Sequence, residues 1–311
     1  MCGFFGFVDF AGNTSAADHS EVKSGAQRIQ HRGPDSNGFF HDKNFVISFN
    51  RLSIIDLEAP SQPFTNPESG ITTACNGEIY NYRELREDLK RAGYSFATAT
   101  DSEVILHGFE EWGQSLWERL NGIFSVVVWN AKKSELTLAR DQLGVKPLHY
   151  MQVGNRVYFG SDYNSFFEQT YASIGFNQSA LLSYLSFRYV VGAKTFYDKI
   201  LDISPGSYRL SSPDQSYNKV YWDIPTDIDD SDKGEDYYLS RLDYLLNQAV
   251  TRQMMSDVPL GAFISGGLDS SALIYFMSKT NLNIKSYIAG FDVKGYNEFE
   301  YADEVAQHFN I

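Results

Sequence analysis

Cys2 stands directly after Met1, and an initiator methionine before a small residue is ordinarily removed. Removal leaves the cysteine with a free α-amino group beside its own thiol. A thiol of pKa about 8.5 next to an amine of pKa about 7.7–8.0 is a nucleophile with a built-in base, and it needs no separate histidine. The same residue would serve as a buried cysteine opening the first strand, since free cysteine is among the most buried residue types. Further along, Asn76-Gly77 can offer a side-chain NH2 and a backbone N–H to an oxyanion, and glycine permits close approach. Read alone, Asn-Gly is also a strong hairpin turn. Arg51 carries the guanidinium fork that grips a carboxylate. Glu78 and Asp101 are natural partners for an ammonium, although Asp101 reads equally well as the N-cap of the helix that follows. One cation and one or two anions are what a free amino acid zwitterion requires.

A second constellation lies near the other end. An apolar strand over 259–264 runs into Ser265-Gly266-Gly267-Leu268-Asp269-Ser270-Ser271 and then into a helix. Backbone N–H groups of a glycine loop at a helix N-terminus cradle phosphate, aided by the helix dipole. The loop is neither GxxxxGK[ST] nor GxGxxG. In isolation a Gly-Gly turn capped by Asp or Ser is the plainer reading.

These residues must be carried by two different architectures. Strand patterns fall at 4–10, 44–49, 71–76, 123–130 and 135–140, and helical periodicity at 83–92 and 102–113. Strands come first with helices interleaved, which predicts layered α+β packing over the first two hundred residues or so. Residues 223–236 are dense in aspartate and read as a solvated linker. Beyond it, Leu239, Leu242, Leu246, Ala249 and Val250 mark an amphipathic helix. Strand 259–264, helix 269–279, strand 285–291 and helix 298–309 then form a βαβα run, hence a parallel sheet. The run stops at Ile311, where a further strand is expected.

Composition narrows the class. With 43% hydrophobic and 15% aromatic residues in 311, the chain has ample core for two domains. A formal charge of −13 argues against a nucleic-acid binder. No apolar run approaches the ~20 residues of a membrane span, and the first residues lack a signal peptide's pattern; a cytoplasmic protein is expected. The only cysteines, Cys2 and Cys75, are expected to be reduced. The six histidines show no metal-ligand spacing, and no structural metal is expected.

Five motifs in order carry a resemblance. Cys2-Gly3-Phe4-Phe5-Gly6, His31-Arg32-Gly33-Pro34-Asp35, Arg51-Leu52-Ser53-Ile54-Ile55-Asp56, Asn76-Gly77-Glu78-Ile79-Tyr80-Asn81 and the stretch through Arg140-Asp141 to Gly144-Val145-Lys146-Pro147-Leu148 resemble class II glutamine amidotransferases, the N-terminal-nucleophile glutaminases. The SGGLDSS loop, led in by Met255-Ser256-Asp257-Val258-Pro259-Leu260-Gly261, resembles the PP-loop of ATP-pyrophosphatases, specifically the asparagine synthetases. The resemblance implies an αββα N-terminal-nucleophile sandwich over 2–210, a connecting segment over 211–236, and the start of an incomplete Rossmann-like ATP-pyrophosphatase domain over 237–311.

It also implies roles. Cys2 is the nucleophile, and Asn76 and Gly77 form the oxyanion hole. Arg51, Leu52, Ile54, Ile55, Asn76, Gly77, Glu78 and Asp101 hold glutamine. Ser265, Gly266, Gly267, Ser270 and Ser271 grip the ATP phosphates, Asp269 contributes to a Mg2+–pyrophosphate site, and Ile264 and Ala289 meet the adenosine. The implied partners are glutamine, ATP and aspartate, or another carboxylate acceptor as in polysaccharide biosynthesis, with a homodimer allowed. Two features depart from the family pattern. Asp162 stands where glutamate is usual, and the stretch from Asp162 to Phe166 carries no lysine. A second ATP-site loop of the SGEGADE kind is absent from the 311 residues, so glutaminase activity without complete synthetase chemistry is expected of them. A non-catalytic protein that keeps the fold is the rival reading from another class.

Overall fold

Residues 2–168, 173–226, 231–280, 284–293 and 297–311 are described in a computed structural model. The expected acidic linker therefore falls partly outside the described residues. Two compact units result, Met1–Pro225 and Thr226–Ile311.

The first strand, β1 (Gly3–Asp9), is buried throughout, so its two alternating faces must both be covered. Phe4 and Val8 face one apolar cluster. Phe5 and Phe7 face another. β1 pairs antiparallel with β3 (Phe45–Arg51), which in turn pairs with β2 (Ser36–His41). The second sheet contains β4 (Phe64–Asn66), β5 (Ile71–Ile79), β6 (Gly122–Asn130) and β7 (Glu135–Arg140). β8 (His149–Val153), β9 (Arg156–Gly160) and β10 (Leu201–Asp202) return to the first sheet, and β11 (Ser207–Ser211) and β12 (Ser216–Val220) extend the second. The strand orders are β10-β8-β9-β1-β3-β2 and β12-β11-β7-β6-β5-β4.

The two sheets pack face to face on Phe4, Phe45, Phe49, Ala74, Val127, Trp129 and Leu138. Helix α1 (Ala16–Arg28) covers the outer face of the first sheet through Val22. α2 (Tyr82–Arg91) packs on α3 (Glu103–Trp112), and α3 packs on β5. Two short helices, α4 (Leu116–Arg119) and α5 (Gln178–Phe187), complete the unit. The result is the four-layer αββα sandwich that the resemblance implies. Its sheet runs past the expected boundary at 210. β12 is hydrogen-bonded to β11 along its length, Tyr221 and Trp222 both donate their N–H to Gly206, and the unit closes at Pro225.

In the second unit α6 (Glu235–Gln253) is followed by β13 (Gly261–Phe263), α7 (Leu268–Ser278), β14 (Lys285–Tyr287) and α8 (Phe299–Phe309). β13 and β14 are parallel, as a βαβ unit requires. Val250, Ala262, Ile274, Phe276 and Ala302 form its core. Both strands are shorter than the expected 259–264 and 285–291. Pro259 has no N–H to give a ladder. At the other strand's end, the Asn297 side chain takes both polar backbone groups of Phe291, at 2.7 Å each, which removes them from pairing.

Candidate active site

Cys2 precedes β1 and packs, half-buried, against the end of the inter-sheet core. Its Sγ accepts a hydrogen bond from the Leu52 N–H at 3.3 Å. Burial pushes the thiol up, while that backbone donor pulls it down. The Leu52 amide is therefore engaged by the Cys2 thiol. Arg32 Nε donates to the Cys2 carbonyl at 3.1 Å, and Arg32 Nη1 lies 3.8 Å from Asp162. The departure at Asp162 thus keeps an acid facing the arginine that anchors the cysteine's backbone.

The loop after β3 forms one wall, and the reason lies in Arg51. The residue is 6% exposed, and its guanidinium donates to the carbonyls of Ile55, Asp56 and Ala59. Two motif acids lock the same loop by other bonds: Asp35 accepts from the Ser53 N–H at 2.8 Å, and Asp56 accepts from the Ala99 N–H at 2.7 Å. Arg51 is thus a builder of the site's wall. This task is invisible in the sequence, because carbonyl partners carry no residue signature.

Asn76 and Gly77 lie inside β5, so the hairpin-turn alternative does not hold: these residues pair with Ser125 and Phe124 of β6. A Cβ on Gly77 would stand 2.0 Å from the Ile123 carbonyl oxygen. Strand crowding by itself therefore demands glycine here. Phe124 directs its N–H to the Asp141 carboxylate at 3.2 Å and accepts from the Asp141 N–H at 2.9 Å. Both its polar groups thus face β7, and the antiparallel alternation turns the Gly77 N–H away from β6. On that side β4 has already ended at the Phe64–Thr73 pair, so the sheet leaves the Gly77 donor unused.

Asp101 is not an N-cap. Ser102 occupies that position with no side-chain cap, while Asp101 accepts from the Ile79 N–H at 2.7 Å. Burial raises Asp101 to about 6, with the Ile79 amide opposing and Glu78 adding to the rise. Burial also raises Glu78, against the pull of Lys146. Cys2, Arg51, Leu52, Ile54, Ile55, Asn76, Gly77, Glu78 and Asp101 all line one cavity. Lys146, 5% exposed, lines it too. Lys146 has no role legible in the sequence, though it sits in the Gly144–Leu148 motif. A lone cation inside that motif is the signal that could have found it, and only the fold sets its charge against Glu78.

In the second unit Gly267 begins α7 without a side-chain cap. Ser265 Oγ lies 3.1 Å from Ser270 Oγ, and Ser271 Oγ donates to the Gly267 carbonyl at 2.8 Å. Gly266 has φ +74°, a left-handed conformation that favours glycine. Ile264, Ser265, Ser270 and Ala289 line a second cavity. Gly266, Gly267 and Ser271 belong to the loop and first helical turn beside it, and Asp269 is exposed in that first turn. Among the described residues no three His, Cys, Asp or Glu side chains are grouped to hold a metal ion, and no helix is long and apolar enough to cross a membrane.

Comparison with known proteins agrees with both halves. The family described as "Glutamine amidotransferase domain" matches residues 1–222, and the one described as "Asparagine synthase" matches 241–311. Asparagine synthetase [glutamine-hydrolyzing] 1 of Bacillus subtilis is 35% identical over 100% of this chain and 49% of its own length. Asparagine synthetase [glutamine-hydrolyzing] 2 of the same organism is 33% identical over 90% of this chain and 39% of its own. The chain thus spans about half the length, or less, of these relatives. Among solved structures, glutamine phosphoribosylpyrophosphate amidotransferase from B. subtilis aligns with a TM-score of 0.51 at 15% identity, covering 92% of this chain and 65% of that one. That likeness bears on the fold alone. With a match that runs from residue 1 past the end of the second sheet to residue 222, the chain belongs to the glutamine amidotransferase domain family.

Proposed function

We propose that the first unit hydrolyses glutamine and that the released ammonia serves the ATP-dependent amidation of a carboxylate, with aspartate as acceptor and asparagine as product. The observation that carries this reading is the convergence of Cys2, Asn76, Gly77, Arg51, Glu78 and Asp101 on one cavity. Cys2 Sγ attacks the side-chain amide carbon of glutamine, and its proton passes to the α-amine that removal of Met1 exposes. The Gly77 N–H and the Asn76 amide stabilise the oxyanion. Ammonia leaves with the proton from the α-amine, and water hydrolyses the thioester to glutamate. Arg51 takes the substrate carboxylate; Glu78 and Asp101 take its ammonium.

The loop from Ser265 to Ser271 would bind the phosphates of ATP, whose cleavage to pyrophosphate activates the acceptor as an acyl-adenylate. Asp269, exposed beside the uncapped start of α7, fits a Mg2+ held mostly by phosphate oxygens. The names of the B. subtilis relatives favour aspartate over other acceptors. The test follows glutamate, pyrophosphate and asparagine together in one mixture of protein, glutamine, ATP, Mg2+ and aspartate. Glutamate release by the 311-residue chain is expected. Its absence would overturn the reading of the first unit, and glutamine-driven amidation of an acceptor other than aspartate would replace the product.

A further inference from the structure

Asn76 and Ser125 stand opposite each other on neighbouring strands. Two residues further along each strand, Ala74 and Val127 belong to the apolar core between the sheets. Side chains two apart share a face, so Asn76 and Ser125 both point into the sandwich, and both are fully buried. The inward face thus changes from apolar to polar at one level, beside Cys2. A polar pair costs free energy in such a place unless its hydrogen bonds are met.

As placed, the pair is poorly met. Asn76 Nδ2 donates to Ser125 Oγ at a long 3.3 Å, and Asn76 Oδ1 is buried with no partner among the described residues. The Ser125 hydroxyl has one proton to give, and the amide has an acceptor that receives none. Half a turn of the amide about its last bond keeps its volume and exchanges the unmatched acceptor for an unmatched donor. Ser125 Oγ–H then donates to Oδ1, and Nδ2 takes the unmatched direction. A donor held firmly without a protein acceptor is what a developing oxyanion needs. With the Gly77 N–H, which the sheet leaves unused, it forms a pair of donors from consecutive residues.

We propose that Ser125 is a positioning residue for glutamine hydrolysis: its hydroxyl fixes the Asn76 amide with Nδ2 toward the reacting carbonyl. The inference rests on the glutaminase reading of the Cys2 cavity. Because Ser125 acts through the transition state, its loss should lower kcat and leave KM for glutamine nearly unchanged.

The experiment measures glutamate release by wild type, Ser125→Ala, Ser125→Cys, Asn76→Ala and the double variant Asn76→Ala/Ser125→Ala. Ser125→Ala is expected to lose about tenfold in kcat, short of the ~10²–10³-fold typical for an oxyanion donor itself. Ser125→Cys, whose S–H is a weak donor, should recover part of that loss. In the Asn76→Ala background the serine change should cost almost nothing further, because the group it positions is gone. A KM increase with unchanged kcat, or an equal loss in both backgrounds, would overturn the proposal. If Ser125→Ala proves too unstable to assay, the near-isosteric Ser125→Cys decides: full wild-type kcat there would also overturn it. Wild type without glutamine turnover would instead bring down the glutaminase reading, whatever the variants do.

Discussion

Cys2 Sγ and the amide nitrogen of Leu52 are 3.3 Å apart, which makes Cys2 and the loop after Arg51 one hydrogen-bonded unit. The bond favours the thiolate against a burial that disfavours it. Cys2→Ala should therefore abolish glutamate release while leaving the melting temperature close to that of wild type, since the side chain is only half-buried. Parallel activity and thermal-unfolding measurements check this. Substantial turnover by the variant would remove Cys2 as nucleophile.

Arg51→Lys should do two things at once. Replacing the guanidinium by an ammonium should weaken its grip on the substrate carboxylate and raise KM for glutamine by roughly ten- to a hundredfold, about 1.5–3 kcal/mol for a charge-assisted hydrogen bond. A lysine also cannot serve the carbonyls of Ile55, Asp56 and Ala59 together, so the melting temperature should fall. A variant with wild-type KM would refute the carboxylate assignment even if its stability dropped.

The Asp101 carboxyl, raised from 3.8 to about 6 by burial, predicts a pH signature. An ammonium is bound by the ionised form, so KM for glutamine should rise as pH falls through about 6. Asp101→Asn should show a higher KM at neutral pH and a flatter profile. The stability sign follows from the raised value. The folded state binds more protons than the unfolded one between about 4 and 6, so wild type loses stability across that window as pH rises. Asp101→Asn should consequently gain in melting temperature relative to wild type between pH 4 and pH 7. A constant difference would contradict the burial argument.

His107 offers an independent test away from the cavity. Burial alone would lower it, but its contacts with Glu103 and Glu110 prevail and raise it from 6.5 to about 9. Nδ1 is 2.9 Å from Glu110, and Nε2 is 3.7 Å from Glu103. The stabilisation is complete below about 6.5 and is lost as pH rises through about 9. His107→Gln should melt lower than wild type at pH 6.5, and the gap should close by pH 10. Melting curves across that range are sufficient, and a gap that widens with pH would refute the charged cluster.

The first unit closes at Pro225, which predicts a difference between two shortened chains. One ending at residue 225 should fold and retain glutaminase activity. One ending at 210 loses β12, the Gly206 contacts of Tyr221 and Trp222, and the Tyr221 Oη bond to the Arg140 carbonyl at 2.6 Å. It should be less soluble and melt lower. Equal behaviour of the two would place the boundary back at 210.

Residue types and their order were enough to determine the chemistry expected of Cys2, Arg51, Glu78, Asp101 and the Ser265–Ser271 loop, because reactivity and charge belong to the side chains themselves. The same is true of strands such as β1 and β6, whose burial on alternating faces leaves a clear apolar pattern. Helix α1 was not legible. Its core side includes Gly25, where a Cβ would stand 2.5 Å from the Phe5 ring, and a helix that packs so closely through small residues has little apolar periodicity. The extent of the second sheet was also hidden, since the exposed strand β12 is recognisable only by its partner. Only the tertiary structure decided that Asn-Gly is strand and not turn, that Asp101 binds the Ile79 amide and not its own helix, and that Ser125 faces Asn76. Each of these depends on pairing between residues about 20 to 50 positions apart, as in the contacts of Ile79 with Asp101 and Asn76 with Ser125. Local propensity acts over a few neighbours and cannot carry that information; the register of β5 against β6 can.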